Sequence, residues 1–183
     1  MEEYNIEKAY VGDFIGIRGT VKIENGEHVA IGRNHWVGQG LEGIGSYLIW
    51  NDGSLSPGSG TWNMYVGSDT STATTVSMTA LVSPIGTAPG TAPNTTSLSG
   101  QYYSTSTTPV VLTWVATWNA GTVSGTLGEV GLYLYLSSYG VGGGGYFEGL
   151  ASRLSAADGS FTAFAINTAA ALTVTWTVSL VYA

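Results

Sequence analysis

The second half of the chain is dominated by short stretches in which apolar and polar residues alternate, as they do in a β-strand that buries one face. The clearest stretch is 172–182 (LTVTWTVSLVY), where large apolar residues alternate with Thr or Ser. Residues 110–118 (VVLTWVATW) alternate similarly, whereas 128–137 (GEVGLYLYLS) are apolar on both faces and need a covering layer on each side. Further strands are predicted at 62–66, 146–154 and 161–166.

The N-terminal part predicts a β-hairpin. Residues 10–24 (YVGDFIGIRGTVKIE) alternate and end at Asn25-Gly26, a dipeptide typical of tight hairpin turns. Residues 28–32 would form the return strand. We therefore expect residues 1–36 to form an N-terminal arm and hairpin.

One short helix is predicted over Val37–Ile49, because Leu41, Ile44 and Leu48 follow the i, i+3, i+7 spacing of an amphipathic helix. Residues 51–60 and 85–99 are loops by composition, rich in Gly, Pro, Ser and Thr. The apolar segment 76–85 is ambiguous between a strand and an irregular segment.

The strand aromatics are interpreted as core residues, since aromatic side chains dominate buried area. The alternative is a platform on which sugars stack. Together the elements predict an all-β protein, an antiparallel β-sandwich of jelly-roll type formed by residues 37–183. The expected core aromatics are Trp114, Trp118, Tyr133 and Trp176.

Charge narrows the possible partners. Charged residues make up only 9% of the 183 positions, against about 25% in ordinary soluble domains, and the formal net charge is −7. This balance argues against nucleic-acid binding and against a basic membrane-surface helix. The acidic start does not resemble a signal peptide, and no apolar run reaches the roughly 20 residues of a membrane helix.

An uncharged stretch extends from Thr70 to Gly128, without any Asp, Glu, Lys or Arg. Exposed strand edges usually carry charge that prevents edge-to-edge pairing, so we expect much of this stretch to be covered by other subunits. The alternative is a neutral surface of Ser and Thr. The expected interface residues are Tyr4, Tyr10, Ile85, Pro89, Pro93, Tyr102 and Tyr103.

Candidate catalytic and metal sites are sparse. The chain has no cysteine, and His28 and His35 stand without a nucleophile motif or clustered ligands, so no metal or cofactor is expected. Glu129 and Glu148 could act as paired carboxylates of a glycosidase. We favour a structural, partly buried ion pair between Glu129 and Arg153, because either charge would be costly alone on an apolar sheet.

Four segments in order suggest a family. They are 37–49 (VGQGLEGIGSYLI), 64–73 (MYVGSDTSTA), 125–133 (GTLGEVGLY), and 150–155 (LASRLS) followed by 172–178 (LTVTWTV). From about Val37 to Tyr182 the chain resembles a family of small structural proteins of tailed bacteriophages and related viruses. In that family the acidic residue of the third segment and the arginine of the next strand recur together, which maps onto Glu129 and Arg153. Residues 85–99 and the N-terminal hairpin depart from the pattern.

The resemblance implies a non-enzymatic virion subunit, in the tail, neck or capsid surface, made in the host cytoplasm. It would assemble with copies of itself and with other virion proteins. The alternative function is a glycan-binding module on a virion or cell surface.

Overall fold

The computed structural model describes residues 15–41, 60–86, 95–101, 110–139 and 145–182. In these residues the predicted all-β fold with antiparallel sheets is confirmed. The strands are β1 (Ile15–Asn25), β2 (His28–Arg33), β3 (His35–Trp36), β4 (Gly60–Gly67), β5 (Thr95–Gln101), β6 (Val110–Trp118), β7 (Thr126–Leu127), β8 (Glu129–Tyr139), β9 (Gly145–Ser155), β10 (Phe164–Ala165) and β11 (Leu172–Tyr182).

The strands form a five-stranded sheet in the order β2-β1-β11-β6-β5 and a four-stranded sheet in the order β3-β9-β8-β4. A small pair, β10-β7, completes the described topology. The longest ladders join strands distant in sequence: β1 pairs with β11 from Ile15↔Tyr182 to Asn25↔Leu172. The first and the last of the described strands are therefore neighbours inside the larger sheet.

Both sheets contribute to one main apolar cluster. From the five-stranded sheet come the inward residues of alternating strands, among them the three buried tryptophans predicted as core: Trp114, Trp118 and Trp176. The four-stranded sheet supplies inward residues that include Val130 and Leu132 of β8. The β-sandwich of jelly-roll type stays a prediction.

The N-terminal hairpin is an integral part of the larger sheet. Val21 and Ile23 of β1 are fully buried in the main cluster, so the hairpin and the later strands share one core. The two-residue loop is Gly26-Glu27, one position later than predicted, and Gly26 has the left-handed φ of 64°. Glycine suits the first position of such a turn because it has no Cβ to clash there.

Two local predictions differ from the structure, at residues 95–99 and at residues 161–166. Residues 38–41 are helical, and the predicted helix beyond them lies outside the described residues. Residues 95–99, predicted as loop, belong to β5, because the open edge of β6 gives their backbone hydrogen-bond partners. The predicted strand at 161–166 is reduced to β10, and 76–85 is irregular apart from an isolated bridge at Pro84.

Candidate functional site: a buried arginine and its carboxylates

Glu129 and Arg153 lie on adjacent strands, on the face of the four-stranded sheet opposite the main core. Their register is diagonal, with Glu129 opposite Ser155 and Arg153 opposite Gly131. Arg153 Nε donates to Glu129 Oε2 over 2.8 Å, and Arg153 Nη2 lies 2.8 Å from the same oxygen. Both side chains are 0% exposed, so the pair is completely rather than partly buried.

Asp69 is a third member of this cluster that the sequence analysis did not identify. Arg153 Nη2 donates to Asp69 Oδ2 over 2.9 Å. The aspartate stands in the turn that follows β4, and its carboxylate also accepts hydrogen bonds from the backbone N–H groups of Ser71 and Thr72. The signal was present in the sequence, since Asp69 is the last charge before the uncharged stretch, with hydroxyl residues after it.

The arginine uses its full set of donors. Nη1 donates to the carbonyl oxygen of Thr72 over 2.7 Å and to Thr74 Oγ1 over 3.2 Å. With the bonds to Glu129 and Asp69, each of its nitrogens has an acceptor. A fully buried guanidinium is tolerated only when it is paired and hydrogen-bonded in this way.

Two carboxylates surround one guanidinium, so the arginine balances only one of the two negative charges. Backbone N–H groups stabilise the other. Glu129 Oε1 accepts from Ser83 N over 2.7 Å, and Oε2 accepts from Val82 N over 3.2 Å. Burial by itself raises the pKa of Asp69. The hydrogen bonds from Thr72, Ser71 and Arg153 outweigh burial and hold the pKa of Asp69 below its usual value.

We expect stability to fall in acid partly through Asp69. Because its folded-state pKa is lower than its unfolded pKa, the stabilisation is complete above the unfolded value of about 4 and is lost as pH falls through the folded-state value. Urea unfolding between about pH 5 and pH 2 should show a steeper loss of stability for the wild type than for Asp69→Asn. Equal acid dependence of the two proteins would contradict this contribution.

The cluster anchors residues 68–86, which we call the outer loop, against the outer face of the four-stranded sheet. The bond from Ser68 N to Ser83 O joins the two ends of the loop, and the bond from Ile85 N to Val66 O ties its second end to β4. In between, Leu150 N donates to Thr79 O and Leu81 N donates to the hydroxyl of Tyr133. These contacts make the outer loop a layer over the sheet.

A second apolar cluster lies beneath the outer loop. It consists of Val37, Tyr65, Leu81, Tyr133 and Leu150, with Met78 packed against it. Tyr133, predicted as core, therefore belongs to this smaller cluster, where its ring packs edge to face on Tyr65 with centroids 5.0 Å apart. The chain itself therefore covers the outer face of β8 at Glu129, Gly131 and Tyr133.

Close backbone approach makes two glycines part of the site. A Cβ at Gly128 would collide with the carbonyl oxygen of Asp69, and one at Gly67 would collide with Glu129 Oε1. Gly128 N also donates to Gly67 O over 3.0 Å. The GTLGEVGLY segment thus needs its glycine before Glu129 to let the outer loop pass.

The outer face of the outer loop is neutral and partly apolar. Val76 is 67% exposed and Val82 is 45% exposed. The loop's only charged side chain, Asp69, is turned inward to Arg153. The uncharged stretch therefore includes an exposed surface held in a fixed shape.

Of the predicted interface residues, only Ile85 lies in the described part of the chain. Ile85 is half-buried and packs against the main cluster, because its backbone is bound to Val66 at the end of β4; its place at an interface stays a prediction. The others lie outside the described residues: Tyr4, Tyr10, Pro89, Pro93, Tyr102 and Tyr103.

The histidines do not form a site together. His28 stacks on Phe164 with ring centroids 3.8 Å apart, while His35 lies opposite Arg153 in the short ladder of β3 and β9. Within the described ranges, no three His, Asp or Glu side chains are grouped as metal ligands. Among those same residues, no helix is long and apolar enough to span a membrane.

Comparisons with protein-family models, curated proteins and solved structures find no match to this chain.

Proposed function

We propose that this protein is a non-enzymatic structural subunit of a virus particle, built into the virion by contacts with its own copies and with other virion proteins. The observation that carries the proposal is the outer loop, a neutral surface fixed by a buried arginine. The motif resemblance to phage structural proteins also supports it, and the segments that carry this resemblance contain the three residues of the cluster, Asp69, Glu129 and Arg153.

The design of the outer loop favours a covered surface. The centres of protein interfaces contain few charged side chains. The outer side of this loop likewise lacks charge. A surface that is already rigid loses little conformational entropy when a neighbour binds. Arg153 supplies that rigidity, because it binds Thr72 and Thr74 of the loop as well as Asp69.

The cluster geometry favours a structural over a catalytic role for Glu129. A glycosidase carboxylate must reach the glycosidic bond and exchange protons with it. Glu129 is fully buried, and both its oxygens are occupied by Arg153, Val82 and Ser83. The backbone of Glu148 pairs with Tyr135 farther along the same two strands.

Glycan binding remains the alternative. Of the aromatic residues considered for stacking, Trp114, Trp118, Tyr133 and Trp176 are at most 3% exposed and cannot offer a face to a sugar. Tyr102 and Tyr103 are candidates for this function, and glycan-array binding lost on their replacement would favour it over assembly.

Light scattering on purified protein tests the proposal. The wild type should form species larger than a monomer, and the double variant V76K/V82K should lose the largest of them, because two lysines would have to be desolvated in the contact. A matched control, A120K/A169K, adds the same two charges at exposed loop positions and should associate like the wild type. Circular dichroism should be unchanged in both.

Two results would count against assembly through this surface. One is a wild type that stays a monomer at every accessible concentration. The other is equal association of V76K/V82K and A120K/A169K.

A further inference from the structure

A second exposed apolar feature lies on β2, at the edge of the five-stranded sheet. Val29 is 53% exposed and Ile31 is 63% exposed, on the face opposite the partly buried Ala30. On the adjacent strand the nearest charges, Lys22 and Glu24, are bound to each other over 2.7 Å. The edge of β2 therefore presents apolar side chains next to two charged side chains that neutralise each other.

The hydrogen-bonding groups of β2 alternate along the strand. Asn25 and His28 flank the two-residue loop, so they form a hydrogen-bonded pair. From this pair onward, hydrogen-bonded and non-hydrogen-bonded pairs alternate along β1 and β2. By this alternation the N–H and C=O groups of Val29, Ile31 and Arg33 point away from β1. Within the described topology no strand lies on that side. Such an edge is a template for another strand.

We infer that the edge of β2 binds a second copy of this chain, antiparallel, about a two-fold axis through Ala30. In this register Ile31 lies opposite Val29 of the second copy, and Arg33 lies opposite its Glu27. The outward backbone groups of both strands then pair, and the two five-stranded sheets become continuous.

Self-complementarity is the reason to choose a second copy over an unrelated strand. The exposed residues along this edge run from acidic Glu27 through Val29 and Ile31 to basic Arg33. An antiparallel two-fold reverses this order, so apolar meets apolar in the centre and each end brings opposite charges together. The same edge paired in parallel would place like charges side by side.

This contact rests on the self-association in the proposed function and names one place where it occurs. A six-residue edge is small beside a standard interface of about 1,600 Å², so we expect a weak contact that is strengthened by others in an assembly. The outer loop lies on the other sheet and is available for a separate contact.

Disulfide trapping tests the register, because the chain contains no cysteine. Val29→Cys and Ile31→Cys proteins are purified separately, mixed in equal amounts and oxidised mildly. Opposed residues of a hydrogen-bonded antiparallel pair have Cα atoms about 5.5 Å apart, within disulfide range. Two copies of either variant alone place their cysteines two residues out of register, at roughly 8 to 9 Å, which is beyond that range.

The expected result is a mixed dimer, identified by intact mass, in several-fold excess over the roughly 2:1:1 ratio that random collision gives. The control mixture of Ala120→Cys and Ala169→Cys, both exposed loop positions, should give the random ratio. A random ratio from Val29→Cys with Ile31→Cys, or a preference for either homodimer, would overturn the β2 pairing.

Failure of this inference is distinguishable from failure of the proposed function. If the wild type associates in light scattering but the mixed dimer is not enriched, only the β2 contact is wrong. If the wild type is a monomer throughout, self-assembly itself fails, and the β2 contact fails with it.

Discussion

Replacing Arg153 by alanine should destabilise the protein by about 3–5 kcal/mol, the loss typical when one partner of a buried ion pair is removed. The change leaves the Glu129 and Asp69 carboxylates without their shared cation, with Glu129 fully buried. It also removes the donors to Thr72 and Thr74 that hold the outer loop. Against a total stability of about 5–15 kcal/mol, this is a large fraction.

Urea unfolding followed by tryptophan fluorescence measures the loss, since Trp114, Trp118 and Trp176 are buried in the main core and report its opening. The matched control is Lys22→Ala, which removes an ion pair whose side chains are 45% and 41% exposed. Exposed pairs contribute about 0–1 kcal/mol, so the control should unfold close to the wild type. Similar losses for the two variants would show that Arg153 does not carry the stability assigned to it.

Glu129→Ala should cost a comparable amount, about 3–5 kcal/mol, for a partly different reason. Arg153 retains Asp69, but the backbone N–H groups of Val82 and Ser83 lose their acceptor. Glu129→Gln keeps one carbonyl oxygen for these donors and should be less destabilising. The expected order of stability is therefore wild type, Gln, then Ala.

Hydrogen exchange separates this anchoring role from a general loss of packing. In Glu129→Ala the amides of Val82 and Ser83 should exchange faster than in the wild type. The exchange rates of amides in the β1–β11 ladder should change only as far as the global stability changes. A variant that is as stable as the wild type but has lost a hydrolytic activity would instead indicate a catalytic Glu129 and contradict the structural role.

The ion pair was predictable because the cost of burying a charge can be inferred from the sequences of the strands that carry it. Two opposite charges in otherwise apolar strands need each other, wherever the strands lie in the sheet. Asp69 was missed because its distance to Arg153 is set by the turn after β4, which has no periodic pattern. The depth of burial was missed as well, because it depends on a loop crossing the outer face of the sheet.

The interpretation of the uncharged stretch differs most between the sequence and the structure. The lack of charge in 70–128 predicts coverage by other subunits, but part of that stretch covers the chain's own sheet. Leu81 is buried over Tyr133, whereas Val76 and Val82 in the same loop are exposed. Composition gave no means of dividing these residues, because irregular segments lack the alternation that tells one face from the other.

The sequence by itself determined most of the longer strands, the buried tryptophans and the pairing of Glu129 with Arg153, since each follows from alternation along one strand or from the cost of an isolated charge. Only the tertiary structure decided which strands are neighbours, that the N-terminal hairpin lies beside β11, and that Asp69 completes the cluster. These depend on contacts between residues far apart in the chain. Their energies arise from packing and hydrogen bonding in three dimensions, which no local pattern of residues encodes.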